Sequence, residues 1–362
     1  MSEYLKSDKI IDVANMQHQI IGVGNESENN FQFNSHPEAK WFAKGSNLGL
    51  FVHFGISTVN ARVDLSWGMM ANKPWDLKIG EDNTITPNDY FKLAESFTPD
   101  KYDPEVWVKA IADAGFTYAV FTTKHHDGYA LWPSNYGQFN TSKYLNGYDF
   151  VKLFVDACNK YNIKVGLYYS PPDWYYNREY MSFNYGSVQG TTLQSVEERP
   201  HYGLSHQPIT IPEKPKGWDD AFTEYVSNQI RELLTNYGRI DMLWFDGSID
   251  QYEKAISIEE MRKLQPWIIV TPRLHHNGDF ETFECRMPDK KPECIWEHEV
   301  IWQEGSGWAY MEQSKGYKSV EWLINTFEDV KAWNGNLLVN VGPMCDGRLP
   351  DEFYEKLKLL KK

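Results

Sequence analysis

Cysteine is scarce in this chain, which argues against a fold held together by disulfide bonds. The four cysteines are Cys158, Cys285, Cys294 and Cys345, and their separations are not those of a metal-binding motif. We therefore expect free thiols, although Cys285 and Cys294 could pair. Metal binding through cysteine is not expected.

Long apolar runs are also missing. The opening stretch, MSEYLKSDKIIDV, lacks the apolar core of a signal peptide. No run approaches the roughly 20 apolar residues that a membrane-spanning helix requires. We expect no membrane segment and no signal peptide in the printed sequence, although a leader could have been removed before the numbering begins.

Basic residues are a minority. Lysine and arginine together number 36 against 50 aspartates and glutamates, which gives a net charge of −14. A surface that binds phosphates needs clustered Lys and Arg side chains. A nucleic-acid partner is therefore not expected.

Aromatic residues, in contrast, are abundant. The chain has 14 Trp, 22 Tyr and 19 Phe, and aromatics make up 15% of it. This exceeds what packing usually requires, and flat aromatic faces suit a site that stacks against sugar rings.

Apolar segments typical of buried strands alternate with amphipathic segments typical of helices along most of the chain. Such alternation predicts a parallel sheet with right-handed crossovers, and about seven units favour a closed (β/α)8-like TIM barrel of class α/β, irregular in places. At 362 residues the length alone would allow two or three domains, but barrels often use this much chain. The predicted strands are 48–55, 118–123, 164–170, 240–245, 267–271, 295–296 and 337–342.

Two stretches interrupt the alternation. Residues 1–38 are polar and rich in asparagine, and we predict an N-terminal arm there, followed by a catalytic barrel over residues 39–362. Residues 175–217 form the longest irregular stretch, which is typical of a lid or a substrate wall.

Polar side chains recur where the predicted strands end. Asp246 follows the buried run Ile240–Phe245, and His53, the pair His125 and His126, Tyr168 and Arg273 hold similar places. The carboxyl ends of parallel barrel strands share one rim, where barrel enzymes place their chemistry. One such residue could simply begin a turn, but five strand ends with the same pattern predict a common site.

Six segments make the chain resemble the α-L-fucosidases of glycoside hydrolase family 29. They are Gly49–Gly55, Thr122–Tyr129 with its Lys-His-His-Asp-Gly block, Gly166–Ser170, Leu243–Gly247, Asp279–Glu284 and Gly335–Pro343. The resemblance runs over roughly residues 40–350 in order. It implies a barrel that hydrolyses terminal α-L-fucosyl residues with retention of configuration and without a cofactor.

The resemblance also implies roles for two carboxyl groups. Asp246 corresponds to the family nucleophile, and Glu284, in the Asp-Phe-x-Thr-x-Glu segment, to the general acid/base. An acid that donates to the leaving oxygen must hold a proton, so we expect burial to raise the pKa of Glu284. Because loops are hard to place from sequence, Glu281 and Glu297 remain alternatives.

The substrate-binding residues follow from the same resemblance. The family histidines that bond ring hydroxyls correspond to His53, His125 and His126, and neutral imidazole can both donate and accept. The remaining candidates are Tyr168, Arg273, Trp67 and Trp244. A metal at His125 and His126 is the poorer interpretation, because adjacent residues on a strand point to opposite faces. Asn336 and Asn340 are expected to hold the barrel floor.

The chain departs from the family in two places. Ser66-Trp67 stands where the family usually has Glu-Trp, so Asp64 could compensate, or the preferred sugar could be another α-L-hexose such as L-galactose or L-glucose. No counterpart of the family's C-terminal β-sandwich is expected. The expected partner is thus a fucosylated glycan or another α-L-glycoside. A catalytically weak carbohydrate-binding barrel and a metal-dependent hydrolase are the alternatives from other classes.

Overall fold

The computed structural model describes residues 17–18, 20–23, 31–33, 36–73, 83–185, 200–305 and 307–360. Eight parallel strands form its main sheet. In chain order they are β1 (Leu48–Val52), β2 (Tyr118–Lys124), β3 (Lys164–Tyr169), β4 (Met242–Phe245), β5 (Ile269–Val270), β6 (Glu281–Glu284), β7 (Trp296–Ile301) and β8 (Asn336–Val341).

The strand order in space is the order in the chain. The sheet runs β6-β7-β8-β1-β2-β3-β4-β5, with every neighbouring pair parallel. Since β8 pairs with β1, the sheet curls as a barrel does. The prediction of a (β/α)8-like barrel is confirmed.

The strands form because their residues are apolar on both faces. Successive side chains of a strand point to opposite sides, so Phe51 lies inside the barrel with Val120 and Tyr168. Their neighbours Leu50 and Phe121 face outward and pack in the larger core under the helices. Burial on both faces explains why these strands read as continuous hydrophobic runs.

Helices cover the outside of the sheet. The α-helices are Lys40–Ala43, Pro87–Ser96, Pro104–Asp113, Thr141–Tyr144, Phe150–Lys160, Trp218–Thr235, Ile258–Leu264, Val320–Ala332 and Asp351–Leu360. Short 3-10 turns span Pro37–Ala39, Ile56–Val59, Leu65–Met69 and Tyr252–Lys254. Several helices begin where a side chain caps free backbone N–H groups, as Asp103 does for Glu105 and Asp149 for Lys152.

The barrel is irregular between β5 and β6. The described residues between these strands form no helix, and β5 and β6 share no strand pairing. Asp279 joins the two edges instead, because its backbone N donates to Val270 O at 2.9 Å and its Oδ2 accepts from Val270 N at 2.8 Å. Arg262 lies 2.7 Å from the other carboxylate oxygen. We call this junction the Asp279 seam. The sequence did not predict β6.

The short segments outside the main sheet form two further strand pairs. Gln32–Phe33 pairs parallel with Asn277–Gly278, and His201–Tyr202 pairs antiparallel with Pro208–Ile209. The second pair falls within the predicted irregular stretch, of which residues 186–199 lie outside the described residues. The division into an arm over 1–38 and a barrel over 39–362 stays a prediction, because most of the arm also lies outside them.

Two expectations about composition can be compared with the structure. All four cysteines are free, so the suggested pairing of Cys285 with Cys294 is wrong, and the Cys294 thiol instead donates to Glu281 Oε2 at 3.3 Å. In the described part of the chain, no helix combines the length and apolarity needed to cross a membrane.

Candidate active site

A cavity opens where the carboxyl ends of the strands meet. It encloses about 350 Å³ of empty space, part of it open to solvent. Eight of the nine predicted site residues line it; the ninth, Arg273, lies directly behind the two carboxylates. The lining residues are Gln17, His18, Ile21, Phe51, His53, Trp67, His125, His126, Tyr168, Trp244, Asp246, Glu284 and Trp308.

Asp246 stands at the base of this cavity, one residue beyond β4. Its Oδ1 accepts from Arg273 Nη1 at 2.7 Å, and its Oδ2 accepts from the Tyr168 hydroxyl at 2.6 Å. Burial, followed by the nearby charge of Asp246, raises the pKa of Tyr168 well above its usual value, so the hydroxyl keeps its proton. The carboxylate is therefore held in one orientation by two donors, one of them charged.

Gly247 allows the chain to turn immediately after Asp246. Its φ is +102°, a conformation that other residues rarely adopt. A Cβ there would also lie 2.7 Å from Pro172 Cγ and 2.9 Å from Ile21 O. The Asp-Gly pair is thus a steric requirement for presenting the carboxylate at the strand end.

Arg273 connects the two candidate catalytic acids. Its side chain is fully buried, and its Nη2 donates to Glu284 Oε1 at 2.5 Å while Nη1 serves Asp246. The guanidinium carbon lies 4.5 Å from the centre of the Trp244 ring, which supports it by a cation–π contact. One carboxylate oxygen of Asp246 lies within 4.8 Å of one of Glu284.

The expected rise in the pKa of Glu284 is wrong for this state of the site. Burial does act to raise the pKa, but the charges of Arg273 and His18 and their hydrogen bonds outweigh it and hold the pKa well below the usual range. Sequence reasoning considered desolvation alone, whereas charged partners shift a carboxyl group in the opposite direction. Glu284 is therefore ionised here.

The three histidines are buried and neutral. Burial lowers the pKa of His53 to about 4 and that of His125 and His126 well below the usual value. Each Nδ1 has a partner: His53 meets Asn340 Oδ1 at 2.6 Å, His126 meets Ser170 Oγ at 2.6 Å, and His125 meets Ser66 Oγ. A neutral imidazole fixed at one nitrogen presents the other to a ligand hydroxyl.

Contrary to expectation, the adjacent histidines do not point to opposite faces of a strand. β2 ends at Lys124, so the chain turns at the pair and both rings line the cavity, with centroids 4.2 Å apart. Ligand atoms of His125, His126 and Asp246 lie within 4.8 Å of one another, as do those of His18, Asp246 and Glu284. However, Arg273 already supplies a positive charge to both carboxylates, and it would repel a cation placed there.

The two aromatic candidates Trp67 and Trp244 line the cavity. Trp67 contacts His126 edge to face at 5.5 Å and Trp174 at 5.2 Å, while Trp244 stacks on Tyr168 at 5.7 Å. Asn336 bonds to the carbonyl groups of Phe42 and Trp296, away from the cavity. Asn340 instead supports the cavity, because it connects His53 with Trp308 O.

The alternatives to Glu284 lie elsewhere. Glu297 is fully buried inside the barrel, where it accepts from Tyr118 at 2.5 Å and from Trp244 Nε1 at 2.9 Å. Glu281 accepts from Cys294. Neither residue lines the cavity, so the geometry favours Glu284 as the group that contacts a bound sugar.

Ser66 contacts a cavity residue without lining the cavity, and the suggested compensation by Asp64 stays a prediction. Ser66 is fully buried and reaches His125. Asp64 Oδ1 accepts from Ala309 N at 3.0 Å, and Asp64 is not among the described residues that line the cavity.

Sequence reasoning missed five cavity residues. They are Gln17, His18, Ile21, Phe51 and Trp308. The period-2 alternation of β1 could have placed Phe51 inward beside His53. Gln17, His18 and Trp308 lie in segments without a regular period, and nothing in their local sequence indicates the site.

Comparison with known proteins identifies the family. A sequence model described as α-L-fucosidase matches residues 16–362. The chain belongs to the α-L-fucosidase family. It is accordingly a glycoside hydrolase, an enzyme class that acts on O-glycosyl bonds.

Individual α-L-fucosidases are similar over most of the chain. Tissue α-L-fucosidase of Mus musculus is 25% identical over 348 residues, which is 89% of this chain and 69% of the relative. That of Homo sapiens is 24% identical over 352 residues, 89% of this chain and 66% of the relative. The chain thus spans about two thirds of the length of these α-L-fucosidases.

Solved structures of α-L-fucosidases are similar as well. Isoenzyme 1 from Paenibacillus thiaminolyticus is 29% identical with a TM-score of 0.70, covering 90% of this chain and 74% of the other. A family 29 enzyme from Bacteroides thetaiotaomicron, trapped as a covalent intermediate with 2-fluoro-fucosyl fluoride, is 22% identical with a TM-score of 0.66, covering 92% and 75%. The second likeness shows the fold alone.

Proposed function

We propose that this protein is a retaining exo-α-L-fucosidase in which Asp246 is the nucleophile and Glu284 the general acid/base. The observation that carries the proposal is the short distance between the two carboxyl groups. One oxygen of Asp246 lies within 4.8 Å of one oxygen of Glu284, and Arg273 donates to both groups. Retaining enzymes place their two carboxyl groups about 5–5.5 Å apart, whereas inverting enzymes need room for a water between them.

The first step forms a bond between Asp246 and the anomeric carbon. As that bond forms, the bond from the carbon to the leaving oxygen breaks, and Glu284 gives its proton to that oxygen. Arg273 and Tyr168 donate to the two oxygens of Asp246 and orient the carboxylate for the attack. Fixed donors of this kind need no rearrangement at the moment of reaction.

The second step uses Glu284 as a base. A water oxygen attacks the anomeric carbon, its proton passes to Glu284, and the bond to Asp246 breaks. The lowered pKa of Glu284 suits this half of the cycle, in which the carboxylate accepts a proton. For the first step Glu284 must gain a proton, so a bound substrate has to weaken its pairing with Arg273 and His18.

The substrate is a terminal α-L-fucosyl group on a glycan or another aglycone. Three neutral histidines offer directed nitrogens for ring hydroxyls, and Trp67, Trp308 and Phe51 offer apolar faces for the ring and the methyl group. Another α-L-hexose is the second candidate, because Ser66 bonds to His125 where the family usually has a glutamate. A serine cannot form the stronger charge-assisted bond.

Replacement of the nucleophile tests the proposal. Asp246→Ala should lower kcat on an aryl α-L-fucoside by several orders of magnitude, and azide should restore part of it as the inverted β-fucosyl azide. Asp250→Ala is the matched control, since the Asp250 side chain is 84% exposed. Residual activity above about one tenth of the wild type would assign the nucleophile to another residue, because loss of a covalent catalyst costs far more.

A panel of aryl glycosides separates the remaining alternatives. Turnover of the α-L-fucoside ahead of the α-L-galactoside and α-L-glucoside supports fucose, and the reverse order supports another hexose. Complete lack of turnover with measurable binding would support a carbohydrate-binding barrel. Loss of activity in a chelator, restored by a divalent metal, would support a metal-dependent hydrolase.

A further inference from the structure

Residues 17–18 and 20–23, which we call the N-terminal turn, close one side of the candidate site. The turn is fastened to the loop that follows the nucleophile, because Ser248 N donates to Ile21 O at 2.8 Å. Its own backbone bond, Val23 N to His18 O at 2.9 Å, keeps it folded. Ile21 and Val23 are buried to 3% and 1% exposure, so apolar contacts anchor it as well.

The turn brings His18 directly to Glu284. The His18 Nε2 lies 3.1 Å from Glu284 Oε1, and the His18 side chain is only 2% exposed. Arg273 Nη2 donates to the same oxygen. An oxygen that already accepts from these two groups cannot easily carry a proton, which leaves Oε2 to exchange it.

We propose that His18 is a positioning residue that orients Glu284 for proton exchange, and that the N-terminal turn forms the leaving-group wall of the site. The inference rests on the proposed role of Glu284. Asp246 faces the anomeric carbon from one side, and the group that protonates the leaving oxygen must stand beside that oxygen. Gln17, His18 and Ile21, which line the cavity, therefore lie near the aglycone.

The geometry explains why a second donor is useful. Arg273 alone is shared between two carboxylates, so its position cannot favour Glu284 without affecting Asp246. His18 contacts Glu284 from another chain segment and restricts its rotation independently. Small displacements of an acid/base group are costly because proton transfer requires hydrogen-bond distance.

The test compares substrates that differ in their need for acid assistance. In His18→Ala we expect kcat/KM to fall about tenfold to a hundredfold on methyl α-L-fucoside but less than about threefold on 4-nitrophenyl α-L-fucoside, whose leaving group departs without a proton. The basic limb of the pH profile should move as well. His18→Gln, which keeps a donor, should recover most of the loss, and His201→Ala, on an exposed histidine, should behave as wild type.

Two outcomes would overturn the inference. A second variant, Glu284→Gln, shows whether the His18 role alone fails or the proposed function fails as well. Equal losses on both substrates, or no loss, would show that His18 does not act through Glu284.

In Glu284→Gln the leaving-group dependence should be larger still, and His18→Ala should add nothing to it. If Glu284→Gln itself shows no leaving-group dependence, the proposed function fails; if it does while His18→Ala does not, only the inference fails. Thermal unfolding of each variant excludes loss of folding as the cause.

Discussion

The two sides of the candidate site are built differently. Strands β1–β4 supply His53, the histidine pair, Tyr168 and Asp246, and these strands have five, seven, six and four residues. The opposite side consists of β5, which has two residues, the Asp279 seam, β6 and the N-terminal turn. It supplies Arg273, Glu284 and His18. The proposed nucleophile therefore follows a regular strand, while the proposed acid/base lies in a part of the barrel that is built from short, irregular segments.

The difference has a chemical consequence. Asp246 needs only to be held in place, and a strand end beside a tyrosine and an arginine achieves this. In the proposed cycle Glu284 exchanges a proton in each half, so its partners must be able to change. Among the described residues, β6 is as long as β4 but pairs with a strand on one side only, and a segment with fewer ladder bonds opens more easily.

The strongest test of this comparison changes the residue that bonds to both carboxylates. Arg273→Lys keeps a positive charge but cannot bond to both carboxylates at once. We expect kcat/KM for the aryl fucoside to fall by roughly 10²–10³-fold, as loss of a preorganised charged donor does. Arg286→Lys is the control, because the Arg286 side chain is 60% exposed. A loss below about fivefold would mean that the two carboxylates do not depend on their shared arginine.

A second test opens the Asp279 seam. Asp279→Ala removes a buried carboxylate that accepts from Val270 N and pairs with the partly exposed Arg262, and leaving a buried donor without its acceptor costs roughly 1–3 kcal/mol of unfolding free energy. Denaturant unfolding should show this loss, and hydrogen exchange should become faster at Val270 than at β2 or β3. Asp289→Ala, on an 83% exposed side chain, is the control. Uniform acceleration over all eight strands would contradict a separately opening side.

The smallest expected effect concerns the pH dependence of Glu297, which lies on β7 and bonds to Tyr118 of β2 and Trp244 of β4. Burial raises the pKa of Glu297 from 4.5 to about 7, so between these values the folded protein keeps a proton that the unfolded chain releases. Stability must then fall as pH rises through this window. The glutamine in Glu297→Gln cannot titrate, so this variant should escape that loss. The melting temperature of the variant minus that of the wild type should therefore increase by about 2 °C or more between pH 5 and pH 8. A constant difference between the two proteins would show that Glu297 does not titrate in this range.

The sequence by itself determined most of the regular side. Apolar runs ending in polar residues placed β1 to β4 and β8 and pointed to His53, His125, His126, Tyr168 and Asp246, because burial on both faces leaves a signal at each position. The predicted strand 267–271 contains β5 and pointed to Arg273 in the same way. Glu284 was identified from the resemblance alone, because β6 is too polar to resemble a buried strand and was missed.

Only the tertiary structure decided how the irregular side works. His18 and Glu284 are 266 positions apart, and nothing in either local sequence indicates that they meet. The same contact, with Arg273, turned the expected rise in the pKa of Glu284 into a fall. The buried positions of a strand or helix follow a periodic pattern of apolar residues, so they can be predicted from the local sequence. The protonation state of a carboxyl group instead depends on charges that the fold brings from distant parts of the chain.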